Sequence, residues 1–193
     1  MQSAGALELQ IIVGSTRPGR AGLPIATWFH DLAEELGTFR LRLVDLAQVN
    51  LPFLDEPHHP NLRKYTKEHT KAWSAQVDAA DAYVFVTPEY NHGPPPALLN
   101  ALDFVYHEWS YKPVSFVSYG GPAGGTRAVQ MLKPITGAMR MVPIVEGVTI
   151  PFFRQHFAEG VFVPTEAHLK AAETMLAELL RWAEALRPMR ARR

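Results

Sequence analysis

Leu7 to Arg20, LELQIIVGSTRPGR, constrains this chain more than any other stretch. Leu9, Ile11, Ile12 and Val13 are apolar and mostly β-branched, the make-up of a strand covered on both faces. Gly14 marks a turn, and Pro18 and Gly19 hold the loop open before the pattern turns helical beyond Arg20. A loop that runs into a helix N-terminus presents backbone N–H groups and a partial positive charge, which together suit an anion. The hydroxyls of Ser15 and Thr16 and the guanidinium groups of Arg17 and Arg20 add donors matched to phosphate oxygens.

Two nucleotide loops fail on these residues. A P-loop needs Lys where Arg20 stands, and a dinucleotide fingerprint needs a second Gly where Thr16 stands. A loop that could hold one terminal phosphate without a metal remains.

A chain of 193 residues suits a single α/β domain over 1–193 and buries a full core. Its 19 basic and 19 acidic residues cancel, which argues against nucleic acid as the main partner. Cysteine is absent, so thiol chemistry and cysteine metal ligands are excluded. No apolar run approaches a membrane span and no leader pattern is seen, so a cytoplasmic protein is expected. The basic stretch of about 187–193, RPMRARR, reads as a frayed tail.

Strands and helices then alternate. Helix is expected over Ala21–Leu36, with Gly37 as its stop, followed by a strand over Phe39–Leu46. Val49–Pro60 reads as a loop, with Asn61 capping a helix up to about Ala80. Ala82–Thr87 is a third strand. Pro94, Pro95 and Pro96 open a helix running to about Trp109. Val114–Ser118 is a fourth strand, Ala123–Met139 a helix, Met141–Val148 a fifth strand and Thr165–Leu186 a last helix, with Thr165 and His168 as half of a capping box.

Such alternation predicts a five-stranded parallel sheet with helices on both faces. In the order 2-1-3-4-5, three loops converge beyond the carboxyl ends of the strands: Gly14–Arg20, Pro88–Gly93 (PEYNHG) and Tyr119–Arg127 (YGGPAGGTR).

GSTRPGR, PEYNHGPPPALLNALD and SYGGPAGGTRAV resemble the three signature segments of the NADPH-dependent FMN reductase family, a flavodoxin-like group that includes quinone, azo-dye and chromate reductases. The resemblance runs from the first strand through the fifth. It implies a flavodoxin-like three-layer sandwich, bound FMN, and NADPH or NADH as co-substrate. It implies ping-pong hydride transfer to FMN, then onward to a small-molecule electron acceptor such as a quinone, flavin, azo compound or metal oxyanion. Ser15, Thr16 and Arg17 match the loop that holds the FMN phosphate, and Arg20 stands where relatives carry a small polar residue. Pro88, Glu89, Tyr90 and Asn91 match the segment lining the flavin ring, with backbone groups meeting its polar edge. Gly120 and Gly121 match the other ring-side loop, where the missing Cβ admits a flat ligand. His92 departs from the Ser or Gly usual after PEYN. No catalytic side chain is implied, because the chemistry is the cofactor's.

Other residues have plainer roles. His58, His59 and His69 complete no metal-ligand spacing, so no metal is expected. Asp103 reads as a helix-surface or packing residue, and Trp73 and Trp182 as core. Family relatives pair through this region, so Trp109 and Tyr111 are candidates for the surface of a homodimer or dimer of dimers. Phe152, Phe153 and Phe157 suit either a cover over a partner's flavin or a loop packed on its own subunit. Two alternatives stand beside the enzyme: a flavodoxin-type electron carrier, disfavoured by zero net charge, and a non-catalytic module for a phosphate-bearing ligand.

Overall fold

A computed structural model describes residues 7–190. Strands β1 (Glu8–Val13), β2 (Arg40–Asp45), β3 (Ala82–Pro88) and β4 (Pro113–Tyr119) form a parallel sheet in the order β2-β1-β3-β4, closed on the β4 side by β5 (Val142–Pro143) and β6 (Val148–Ile150). The expected 2-1-3-4-5 order is present. Every residue of β1, β3 and β4 is buried, as a strand covered on both faces requires. The period-2 alternation sends Leu9, Ile11 and Val13 to one core and Ile12 to the other. Helices α1 (Gly22–Leu36) and α6 (Glu166–Arg190) cover the first core, through Ile25, Phe29, Met175 and Leu179. Helices α3 (Glu68–Ala79), α4 (Pro96–Asp103) and α5 (Thr126–Ala138) cover the second, through Trp73, Leu98 and Leu132. A four-residue helix, α2 (Leu46–Val49), follows β2, and a hairpin of β7 (Phe157–Ala158) and β8 (Val161–Phe162) precedes α6. Gly37 ends α1 as expected, in the left-handed conformation at φ 64°.

Several boundaries differ from the sequence reading. The fifth strand is two short pieces, both parallel to β4; the Ile144 N–H still bonds the Val114 carbonyl at 3.0 Å, and residues 145–147 bow out before the second piece. Pro143 lacks a ladder N–H, and Val145 stands 86% exposed in the bow. Asn61 caps no helix; it lies in a 3-10 turn over Pro60–Leu62 and donates its N–H to His59 Nδ1 at 3.1 Å. The approach to α3 is held instead by the Glu56 carboxylate, which accepts from the backbone N–H groups of Thr66 and Lys67 and from the Thr66 hydroxyl, all within 3.0 Å. Burial works to raise the Glu56 pKa, but these bonds outweigh it and hold the carboxyl at about 2, below its usual 4.5. A depressed folded-state pKa contributes stability above pH 4.5 and loses it as pH falls toward 2. Urea midpoints at pH 5 and pH 3 should therefore lie closer together in Glu56→Gln than in the parent chain.

Helix α4 stops at Asp103 rather than Trp109. Trp109 is 1% exposed, with its ring 4.9 Å from Tyr83 and 6.1 Å from both Trp73 and Phe85, so it belongs to the core and not to a dimer surface. Tyr111 is half-buried and its hydroxyl accepts from Arg140 at 3.4 Å. Trp73 is buried as expected, whereas Trp182 is 41% exposed on α6 and is not core. The capping box before α6 is complete: the Thr165 N–H donates to His168 Nδ1 at 3.1 Å, and the His168 N–H donates to Thr165 Oγ1 at 3.3 Å. The expected tail is helical through Arg190, whose guanidinium bonds the Asp81 carboxylate and, at 3.3 Å, the Tyr111 carbonyl. Residues 191–193 of that stretch lie outside the described residues.

Candidate active site

Three of the sheet's crossovers leave their loops at one edge, and a cavity of about 620 Å³ opens between them. Ser15, Arg17, Arg20, Pro88, Glu89, Tyr90, Gly120 and Gly121 all line it. Two expected residues do not. Thr16 lines a neighbouring cavity, and Asn91 is exposed at the tip of a turn and lines neither.

The first loop divides its donors between structure and solvent. Ser15 is fully buried, and its hydroxyl shares a 2.7 Å hydrogen bond with the Tyr90 hydroxyl. The Tyr119 hydroxyl lies against the start of α1, where a Cβ on Gly22 would come within 2.7 Å of it. Burial, first of all, pushes the Tyr119 pKa well up, so the phenol stays protonated. Arg20 pairs with Asp45 at the end of β2, which in turn accepts the Ala47 N–H at 3.0 Å. Arg20 is therefore anchored, but its Nε is buried in the cavity wall without a partner among the described residues. Arg17 is exposed and has no carboxylate partner among the described residues.

The second loop is a tight hairpin turn. Tyr90 and Gly93 exchange both backbone bonds, at 2.8 and 2.9 Å, around Asn91 (φ 49°) and His92 (φ 68°). Asn and His are among the side-chain-bearing residues that tolerate this left-handed region. The Glu89 N–H bonds the Tyr119 carbonyl at 3.2 Å. These pairings use up the Glu89 and Tyr90 N–H groups that the sequence reading assigned to a ligand. The Asn91 and His92 N–H groups have no acceptor among the described residues. The Glu89 carboxylate pairs with the Arg127 side chain and accepts the Arg127 N–H at 3.2 Å. Burial works to raise its pKa, but the Arg127 bonds outweigh that and lower it. Glu89 is thus a strut between the second and third loops.

The two glycines of the third loop act differently. A Cβ on Gly120 would sit 3.0 Å from the Gly125 nitrogen, so packing within the loop requires that glycine. A Cβ on Gly121 would meet nothing within 4 Å and would project into open space, leaving a flat approach to the backbone there. Phe153 stands on Tyr119 at 5.3 Å, and Phe153, Arg154 and Phe157 line the cavity from their own subunit. Of the two roles the sequence leaves open for the PFFRQHF phenylalanines, Phe153 and Phe157 take the one on their own subunit, whereas Tyr119 and Arg127 were not singled out as site residues. The expected histidines stay apart from the one metal-type cluster among the described residues, His30, Asp31 and Glu34 on α1. His59 is a cap and His69 pairs with Asp55 at 2.9 Å.

An unpaired arginine, an orphaned buried guanidinium N–H and an open backbone face beside aromatic rings fit a ligand with a terminal phosphate and a flat ring system, as FMN has. Comparison with known proteins agrees. The family model described as NADPH-dependent FMN reductase matches residues 7–155. An NAD(P)H-dependent FMN reductase of Schizosaccharomyces pombe is 43% identical over 161 residues, 81% of this chain and 79% of that one. A quinone reductase of Pseudomonas putida is 31% identical over 61% of this chain and 63% of its own length. The fold matches the flavoenzyme NAD(P)H:(acceptor) oxidoreductase of Paracoccus denitrificans with a TM-score of 0.73 at 23% identity, over 93% of this chain and 98% of that one.

Proposed function

We propose, from the premise that this chain belongs to the NADPH-dependent FMN reductase family and is an FMN-dependent NAD(P)H oxidoreductase, how its own residues divide the work. The carrying observation is the convergence of eight of the ten expected residues on one cavity. Arg17 supplies the free charge for the FMN phosphate, helped by the unpartnered Nε of Arg20 and the start of α1. Ser15 and Tyr119 hold the loop to α1 rather than meeting the phosphate through their hydroxyls. Pro88, Glu89, Tyr90, Gly120 and Gly121 form the ring's wall, with the Glu89–Arg127 pair fixing the gap between loops.

When bound, FMN supplies the two-electron chemistry between NAD(P)H and an acceptor. No side chain here is assigned as acid or base. The residues position the ring, keep water from one face with Phe153 and Tyr119, and leave the other face to co-substrate and acceptor in turn. A quinone acceptor is supported by the Pseudomonas putida relative. A single domain, a cytoplasmic location and self-association as a homodimer or dimer of dimers complete the proposal. Leu54, Leu62 and Met131 are exposed apolar side chains available to that contact.

Gly121→Ala tests the ring placement. The new methyl has room in the free protein, so the melting temperature should hold, while intrusion on the ring costs about 1–3 kcal/mol, about 5- to 150-fold in FMN affinity. Unchanged FMN affinity would move the ring elsewhere.

A further inference from the structure

A second cavity of about 740 Å³ adjoins the first, and Arg17 and Tyr90 belong to the walls of both. We propose that this cavity, between the first loop, the segment after α2 and the start of α4, binds the adenosine diphosphate half of NAD(P)H. This rests on the FMN assignment, since it places the rest of the co-substrate beside the flavin.

Its chemistry differs from that of its neighbour. Arg17, shared by both cavities, can meet the FMN phosphate with one edge of its guanidinium and a pyrophosphate with the other, and Thr16 adds a hydroxyl on this side. Phe53 lies at the mouth, 84% exposed, the most exposed phenylalanine of the described residues. An open aromatic face is a platform for a nucleobase, and such stacks are tolerant of which base they carry. Pro95 and Pro96 give the far wall a rigid apolar surface.

The wall bearing Phe53 is braced. Asn100 of α4 donates Nδ2 to the Pro52 carbonyl at 2.8 Å and accepts the Leu54 N–H at 3.0 Å, gripping the residues on both sides of Phe53. Asn50 turns the chain in the left-handed conformation at φ 50°. His69 then holds Asp55, and Thr66 and Lys67 hold Glu56. The cavity is preformed, which spares a ligand the cost of ordering its own site.

ADP should bind the FMN-loaded protein in calorimetry, and Phe53→Ala should weaken it at least about fivefold, the lower range of an aromatic–base stack. Phe53→Trp should restore binding. The same alanine variant should raise KM for NADPH by a similar factor, leaving KM for reduced nicotinamide mononucleotide and the Kd for FMN unchanged. No ADP binding, or equal ADP binding by the alanine variant, overturns the proposal while FMN retention by the parent chain keeps the flavin site standing. Weakened FMN binding in Phe53→Ala also overturns it, giving this cavity to the flavin. Loss of self-association in that variant without loss of ADP affinity gives Phe53 to a second copy. A parent chain that holds no FMN fails the flavin reading itself.

Discussion

Arg17→Ala raises the Kd for FMN more than tenfold and leaves the melting temperature unchanged. Both halves follow from one observation. Arg17 is exposed and pairs with no carboxylate among the described residues, so the fold gives up little when the guanidinium goes. A charge-assisted bond to phosphate contributes about 1.5–3 kcal/mol, which is more than tenfold in affinity. Arg20→Ala should behave differently. Its partner Asp45 is 5% exposed, and stripping the cation leaves that carboxylate buried and unpaired, so stability falls together with affinity. Fluorescence titration of FMN with each variant, beside a thermal melt, separates the two. Unchanged FMN affinity in Arg17→Ala would remove the phosphate from this loop.

Trp109→Ala has the largest expected effect on stability, a loss of about 3–5 kcal/mol. The indole is 1% exposed, meets Trp73, Tyr83 and Phe85 edge-on, and donates Nε1 to the Leu102 carbonyl at 3.2 Å. Truncation leaves a cavity under β3 and β4 that the surrounding aromatic rings cannot collapse to fill. Urea unfolding measures it directly. A dimer-surface tryptophan would instead alter the oligomeric state with little loss of monomer stability.

The contrast between Trp109 and the three loops shows where sequence reasoning stops. Strands β1, β3 and β4 are legible because burial on both faces favours runs rich in apolar, β-branched and aromatic residues, even with Gln10, Ser115 and Ser118 buried among them, and the loops after them are marked by Gly, Pro and PEYN. Trp109 was misplaced because α4 ends six residues earlier, at Asp103, and the chain folds back under the sheet. The approach to α3 was misplaced because its anchor, Glu56, is ten residues from Thr66. Arg190 was read as tail because its partner, Asp81, is 109 residues away. At the site, residue types pointed to a phosphate loop, but which donors are free depends on pairs such as Arg20–Asp45 and Ser15–Tyr90 that cross between elements. Local chemistry was readable; the division between anchored and available groups was not.

The most direct test of the central claim is the visible absorption spectrum of the protein after FMN is added and unbound flavin removed, recorded before and after anaerobic NADPH, then NADH. Oxidised-flavin absorption that stays with the protein and bleaches with one of the two nucleotides is the predicted result. Absence of retained flavin, or retained flavin that neither nucleotide bleaches, would contradict it.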